Sequence, residues 1–544
     1  MLSNKTKSLI FAVLPLIIAV LIMIPRLTSA QFGLLDDGYI LNEVRTILRG
    51  DLSMRLDLEA GRFRPIYWLY FTLIYALAGP NPLWFFFGHL IILLVLLMII
   101  RSLMKQYGAN EGQILLTSFV FLFSIPIIEN FYTLSKSETL QLVFILLALL
   151  CFEKLKNSLQ TQTTLIFAVL MFINILAAIW AKETTYILIP LAVLWTAYVL
   201  YNRKYFPSKA QWAHLIFLGA ILLATGVNFL ISSNWGAVLV TDGTYTSQYN
   251  LSLMTILSRA PRWMTLYAFY FHYLLPLAIM AVIIICRKEN HHSRIQHDLF
   301  FWGGWILAWS VGFFPWEYAE VYYLLPFSLG VSIITGLLIP HILRELTTSK
   351  PSLRRSLSLM VFFFASLFIV SLSHFRTHAL TQLTFDRMNH QMMAKTKDLL
   401  ENDGDLIMGV NTYNEYVQNL GHFLIDQEGM NKITYDYVSL EILLGIESRT
   451  DAILLLPFIQ NQPRLLLRAG VEEEFTMAWV DEIEHTLEGN LQSLAYFRSG
   501  FQINNINLPV IICPVLGNRG FCTNPDPFFD TRLFSYGWDI YRIR

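Results

Sequence analysis

Residues 32–44, FGLLDDGYILNEV, place two adjacent carboxylates, Asp36 and Asp37, shortly after an uncharged apolar run from Leu9 to Pro25. Lys5 and Lys7 flank that run on its amino side. Like charges held side by side raise each other's pKa, so a doublet at the far end of a membrane helix is more often kept for chemistry than for packing. The competing reading is that both residues only cap a helix beginning near Gly38, because Asp is a favoured N-cap residue. The apolar run is longer than the core of a secretory signal, is interrupted by Pro15 and Pro25, and is followed by many similar runs. It therefore reads as a retained helix.

The 544 residues are 55% hydrophobic and only 14% charged, against about 25% charged in soluble domains. Aromatic residues reach 14%, which suits lipid-facing and interfacial surface. A net charge of zero gives no reason to expect nucleic acid as a partner. The composition is that of a polytopic membrane protein.

A spanning helix needs about 20 largely apolar residues. Candidate segments are 8–25, 83–101, 113–128, 138–153, 163–181, 183–201, 212–232, 263–286, 299–315, 320–342 and 356–373. The stretch PIYWLYFTLIYALAG, 65–79, is short and bounded by Pro65 and AGPNP. If it lies along the membrane, every short basic loop falls on one face: Lys5/Lys7, Arg101/Lys105, Lys154/Lys156, Arg203/Lys204/Lys209, Arg287/Lys288/Arg294 and Arg344 to Arg355. That asymmetry marks the cytoplasmic side. The expected fold is an α-helical polytopic membrane protein with about eleven transmembrane helices plus juxtamembrane helices, its amino terminus inside. The outer face then carries 26–64, ENFYTLSKSE (129–138), WAKET (180–184), 233–262 and PWEYAE (315–320).

Hydropathy falls after about His374, and the remainder reads as an extracytoplasmic α/β domain large enough to bury its own core. The predicted boundaries are 1–373 for the transmembrane domain, with 26–82 as first external loop and juxtamembrane helices, and 374–544 for the outer domain. DLIMGV (405–410), AILLLPF (452–458) and LPVIICPV (508–515) read as strands, and NEYVQNLGHFLI (414–425) as a helix. Of four cysteines, Cys513 and Cys522 bracket the Pro/Gly loop PVLGNRGF, which suits a disulfide in an oxidising compartment.

The ordered segments FGLLDDGYILNE, GRFRPIYWLYFTLIYALAGPNPLWFFFGHL, LSKSETLQLVFILLALL, AKETTYILIPLAVLW and YYLLPFSLG resemble the GT-C superfamily of integral membrane glycosyltransferases. Over residues 8–345 the likeness is to the branch of protein O-mannosyltransferases and aminoarabinose transferase. The resemblance implies a sugar donor carried on a polyprenyl phosphate, inversion at the anomeric carbon, and an acidic pair in the first external loop at the active centre, here Asp36 and Asp37. It also implies a juxtamembrane helix after that loop, matching 65–79. Related sequences often start that helix with a His-Pro-Pro motif, where Arg64-Pro65 stands here.

Inverting transfer needs a base for the acceptor hydroxyl; Asp36 or Asp37 fits, and the sequence does not say which. Glu129 is a second external acid that the resemblance makes a catalytic candidate. The departing phosphate needs cations near the bilayer surface, for which Arg62, Arg64, Lys182, Arg259 and Arg262 are candidates; snorkelling to lipid headgroups is the competing role. Glu183, Trp316, Glu317, Glu320 and Tyr322 are candidates for the sugar or acceptor pocket, against the alternatives of a structural Lys182–Glu183 pair and an aromatic belt. No dedicated metal site is read; a divalent ion (Mg or Mn) bridging Asp36/Asp37 and Glu129 is left open. The expected partners are the polyprenyl-phosphate sugar, a protein, lipid or glycan acceptor, and the bilayer. The rivals are a transporter or flippase, for which internal symmetry and mid-span charges are lacking, and a non-catalytic sugar-lipid-binding scaffold.

Overall fold

Helices form where the apolar runs lie, and their ends are set by local chemistry. The computed structural model describes residues 4–34, 36–51, 57, 62–157, 161–234, 249–285, 294–348, 351–400, 403–409, 414–430, 432–437, 449–463, 473–511, 513–516, 522 and 525–544. The first helix, α1 (Asn4–Thr28), is followed by α2 (Asp37–Leu48) and α3 (Pro65–Ala78). Pro65 opens α3, where its missing N–H costs nothing. At 14 residues α3 is only about 21 Å long, short of the ~30 Å hydrocarbon core. Helix α4 (Pro82–Gln106) starts where the Asn81 side chain accepts from the Leu83 amide. Helix α5 (Glu111–Leu122) starts in a reciprocal Asn110/Gln113 capping box.

The membrane helices continue with α6 (Ile125–Phe131), α7 (Glu138–Asn157), α8 (Thr161–Ala181), α9 (Leu188–Tyr201), α10 (Ser208–Asn234), α11 (Leu253–Tyr270), α12 (Leu274–Ile285), α13 (Arg294–Val311), α14 (Leu325–Thr348) and α15 (Pro351–Leu400). Each of the eleven expected segments thus falls on a helix or a bent helix pair. Among the described residues seven helices are long and apolar enough to cross a bilayer, or up to nine if α5–α6 (bent by 62°) and α11–α12 (bent by 89°) each make one span. The two expected segments outside that set are α7 and α13. The basic loops expected over 287–288 and at Lys350 lie outside the described residues.

Helix α14 is the hub of the bundle, buried along almost its whole apolar length. It packs against α5 and α13. A Cβ on Gly336 would collide with Thr117 Oγ1 of α5, so only glycine permits that approach. On the α13 side, the fully buried Trp302, Trp305 and Trp309 form a ladder of rings.

Helix α15 is 50 residues long, about 75 Å. It runs from the bundle into the outer domain, so the boundary expected at 373/374 falls inside a continuous helix. Its far end packs under a five-stranded sheet. The strands are β1 (Asp403–Met408), β2 (Lys432–Tyr437), β3 (Ile453–Gln460), β4 (Leu491–Gln502) and β7 (Leu533–Ile543), in the order β2-β1-β3-β7-β4. β1 pairs parallel with β2 and β3, and β7 antiparallel with β3 and β4. A small ladder of β5 (Asn505–Ile506) and β6 (Phe529–Asp530) stands beside it. Asn389 of α15 accepts from Tyr536 Oη (3.0 Å) and Trp538 Nε1 (2.9 Å) of β7. The other face is covered by α17 (Glu473–Thr486), through Trp479, Val480 and Ile483. Helix α16 (Asn414–Gly421) connects β1 to β2.

Strands are found where DLIMGV and AILLLPF predict them. LPVIICPV is a correction: 508–511 is a 3-10 turn, and Cys513–Leu516 a single helical turn, α18. Pro509 and Pro514 remove two amide donors from that stretch, which a ladder cannot tolerate in its interior. Cys513 and Cys522 are joined by a disulfide.

Candidate active site

The loop after α1 separates the two carboxylates. Asp36 precedes α2 in the left-handed conformation, φ 64° and ψ −16°. For a residue other than glycine this costs on the order of 1–3 kcal/mol and must be held by the surroundings. Asp37 is buried, and its Oδ2 accepts the Gly33 amide at 2.7 Å. Burial raises the Asp37 pKa well above its ordinary value; the Gly33 amide opposes this, and the nearby Asp386 charge adds to it. Asp36 instead lines a polar cavity and, among the described residues, its carboxylate has no hydrogen bond or ion pair.

That cavity has a volume of about 340 Å³. Asp36 stands just before α2, and Tyr39 and Ile40 come from it; Asp57, Arg62, Arg64, Tyr67 and Trp68 come from the loop and α3. Ser135 and Lys136 come from the turn before α7, Glu138 from its first position, Lys182 from just after α8, Tyr322 from the turn before α14, and Gln418 from α16. The site therefore lies where the membrane bundle, the first loop and the outer domain meet.

Its charges are largely paired. Arg64 Nε donates to Asp57 Oδ2 at 3.0 Å, and Trp68 Nε1 donates to the same oxygen at 2.7 Å. Burial alone would raise the Asp57 pKa, but the Arg64 charge and hydrogen bonds outweigh it and hold the carboxyl below its usual range. Lys182 Nζ lies 3.2 Å from Glu138 Oε1, with both side chains almost wholly buried. Lys136 is also buried. Its ammonium lies 4.0 Å from the centre of the Tyr322 ring and, among the described residues, has no carboxylate at ion-pair distance. Tyr67 donates to the Ser135 carbonyl at 3.2 Å; burial pushes its pKa up, so it stays a neutral phenol.

A second, apolar cavity of about 850 Å³ runs between α9 and α13. Leu191, Leu194, Trp195, Phe300, Leu307, Val311 and Trp316 line it, and Leu194, Phe300, Leu307 and Val311 are also exposed on the outside of the bundle. Glu183 and Tyr323 line this groove while their neighbours Lys182 and Tyr322 line the polar cavity. The two spaces share that wall.

Of the sequence candidates, Asp36, Arg62, Arg64, Lys182 and Tyr322 come together in the polar cavity. Glu183 and Trp316 face the groove. Arg259 does neither: it donates to the Pro315 carbonyl and pairs with Glu317 at 3.5 Å, bracing the turn before α14. Arg262 is exposed on α11 and lines neither space. Glu129 meets His378 Nδ1 at 2.8 Å, and His378 Nε2 lies 3.1 Å from Tyr270 Oη; Glu320 lines neither cavity. The donor set expected for a divalent ion does not converge, because Asp37 turns back to Gly33 and Glu129 to His378. Among the described residues no group of three His, Cys, Asp or Glu side chains could hold a metal ion.

Sequence reading missed Lys136 and Glu138, although both lie in ENFYTLSKSE (129–138), a segment it placed on the outer face. Asp57 is legible only as the partner of Arg64. Gln418 carries no local signal, since folding alone brings it to Asp36.

Two solved structures are similar to this chain in fold. ArnT from Cupriavidus metallidurans in the apo state aligns with a TM-score of 0.52 at 13% identity, covering 83% of this chain and 93% of that one. The apo oligosaccharyltransferase of Archaeoglobus fulgidus aligns at 0.50 with 12% identity, covering 91% and 70%. No family model and no curated protein matches the sequence. The shared property is the fold, and it agrees with the resemblance carried by residues 8–345: the chain is an integral membrane protein with the architecture of the GT-C glycosyltransferases.

Proposed function

We propose that the chain is an inverting membrane glycosyltransferase that moves a sugar from a polyprenyl-phosphate carrier to a hydroxyl of a protein, lipid or glycan on the extracytoplasmic face. Asp36 takes the acceptor proton. The acceptor oxygen attacks the anomeric carbon as the bond from that carbon to the phosphate oxygen breaks, and the electron pair leaves with the polyprenyl phosphate. Lys136, Arg62 and Lys182 stabilise the phosphate charge that develops. Arg64, committed to Asp57, holds the loop instead. The groove between α9 and α13 takes the isoprenoid tail, whose phosphate end then meets the polar cavity at residues 182–183 and 322–323.

One observation carries this reading: a carboxylate that makes no hydrogen bond or ion pair among the described residues shares a polar cavity with Lys136, Arg62 and Lys182, and that cavity abuts an apolar groove lined by side chains exposed on the outside of the bundle. A transporter would not need that carboxylate beside three cations in one cavity. The test is to reconstitute the full chain in vesicles with a panel of undecaprenyl-phosphate pentoses and hexoses and an extract of envelope acceptors. The expected result is release of undecaprenyl phosphate with inverted anomeric configuration in the product. Movement of the carrier between leaflets with its glycosidic bond intact would overturn the proposal.

A further inference from the structure

An Asp that precedes a helix normally caps it, accepting the amide of the second or third helical residue. Asp36 does not. It makes no side-chain cap, and its left-handed backbone differs from the extended conformation that such caps require. The third helical amide, Tyr39 N, nevertheless has an acceptor: Asn419 Oδ1 of α16, at 3.0 Å. Asn419 is fully buried, so this bond is set by how the outer domain docks and not by a mobile surface side chain.

The docking is close. A Cβ on Gly38 would stand 2.8 Å from the Asn419 carbonyl oxygen and 3.2 Å from its Cα, so α2 and α16 touch through a position that tolerates no side chain. Tyr39 Oη donates to Gln418 Oε1, and the Tyr39 ring lies 5.0 Å from that of His422. One turn of α16 therefore satisfies the start of α2 and also contributes Gln418 to the cavity wall beside Asp36.

We infer that Asn419 is a positioning residue that caps α2 in place of Asp36, leaving the Asp36 carboxylate in the cavity as the acceptor of the substrate proton. Without Asn419, the Tyr39 amide loses that acceptor, and Asp36 takes its place by returning to an extended conformation. A carboxylate bonded to helix-terminal amides is stabilised as the anion and is a weaker base. The outer domain thus controls the basicity and the placement of the catalytic group, not only the acceptor. This inference rests on the reading of Asp36 as the base.

The experiment compares Asn419→Ala and Asn419→Asp with the unaltered full-length protein, using the undecaprenyl-phosphate sugar turned over fastest in the panel above. For Asn419→Ala the expected result is a kcat lower by about tenfold or more, an unchanged KM for the donor, and an acid limb of the kcat profile moved to lower pH. Asn419→Asp, which keeps the acceptor, restores most of the rate. A lost rate accompanied by an unchanged pH profile, or no rescue by Asn419→Asp, would reduce Asn419 to a structural contact. A structure of the Asn419→Ala protein provides the arm independent of turnover: the Asp36 carboxylate should sit on the Tyr39 amide, and its persistence in the cavity would overturn the inference. If the unaltered protein transfers no sugar, the enzymatic reading fails, while that structure still decides whether Asn419 governs where Asp36 points.

Discussion

Arg26, at the end of α1, and Asp386, in the middle of α15, form an ion pair at 2.8 Å whose side chains are 1% and 2% exposed. It ties the first membrane helix to the helix that carries the outer domain, directly behind Asp37. Gln382 Nε2 donates to the Asp386 carboxylate at 2.9 Å, and the Arg26 guanidinium lies 3.9 Å from the Phe86 ring centre. Removing one partner of such a pair leaves an uncompensated buried charge, at about 3–5 kcal/mol. Asp386→Ala should therefore lower the thermal midpoint in detergent by many degrees, whereas the double replacement Arg26→Met with Asp386→Leu should recover much of it. Equal midpoints for wild type and Asp386→Ala would contradict this.

Asp37 should make stability depend on pH. Its folded pKa is raised, so the folded protein holds a proton that the unfolded chain, at about 3.9, has already lost. Stability then falls as pH rises from about 4 toward the folded value. Asn in its place keeps the acceptor for the Gly33 amide without that penalty. Asp37→Asn should melt at or above the wild-type temperature at pH 7 and show a weaker loss of stability between pH 4 and 7. A marked destabilisation at pH 7 would show that Asp37 acts as a paired anion.

Asp57 carries the reverse sign. Its folded pKa is lowered, so its contribution is present above the unfolded value of about 3.9 and is lost as pH falls through the folded one. Limited proteolysis of the first external loop should rise below about pH 4. Asp57→Asn should show raised cleavage already at pH 7, because it leaves Arg64 buried without its counter-charge. Identical cleavage profiles for the two proteins would dissociate Asp57 from loop order.

Lys136 should matter to the donor. A charge-assisted hydrogen bond to phosphate contributes about 1.5–3 kcal/mol, so Lys136→Met should lower kcat/KM by about 10- to 150-fold. Lys136→Arg should retain more of the rate. Arg262→Ala, remote from both cavities, should leave kcat/KM unchanged. Equal losses at 136 and 262 would point to surface charge instead of a specific contact.

The groove should discriminate by tail length. Ala308 lines it, and Ala308→Phe fills space between α9 and α13. KM for an undecaprenyl-linked donor should rise, while that for a two-isoprene analogue stays close to wild type. A uniform change for both would place the tail elsewhere.

Much of this architecture was legible because membrane helices announce themselves by hydropathy, and a charge doublet stands out against it. The strands 405–410 and 452–458 were legible for a related reason, as short apolar runs buried in a sheet. β4 and β7 were not, because LQSLAYFRSGFQ and LFSYGWDIYRI mix polar and aromatic residues and gain their pairing from each other. The 50-residue α15 hid its continuity because polar residues after His374 lower hydropathy without breaking helical periodicity. In the site, Asp36 was visible and its distinction from Asp37 was not. That distinction comes from one left-handed residue and from Asn419, whose place beside α2 is set only by folding.

The most direct test compares the chemical step in Asp36→Asn and Asp37→Asn under single turnover with saturating donor. Asp36→Asn should lose about 10²- to 10⁴-fold in rate with donor binding intact, and Asp37→Asn should remain within a few-fold of wild type. Full-rate transfer by Asp36→Asn, or a larger loss at Asp37 than at Asp36, would contradict the assignment of Asp36 as the base.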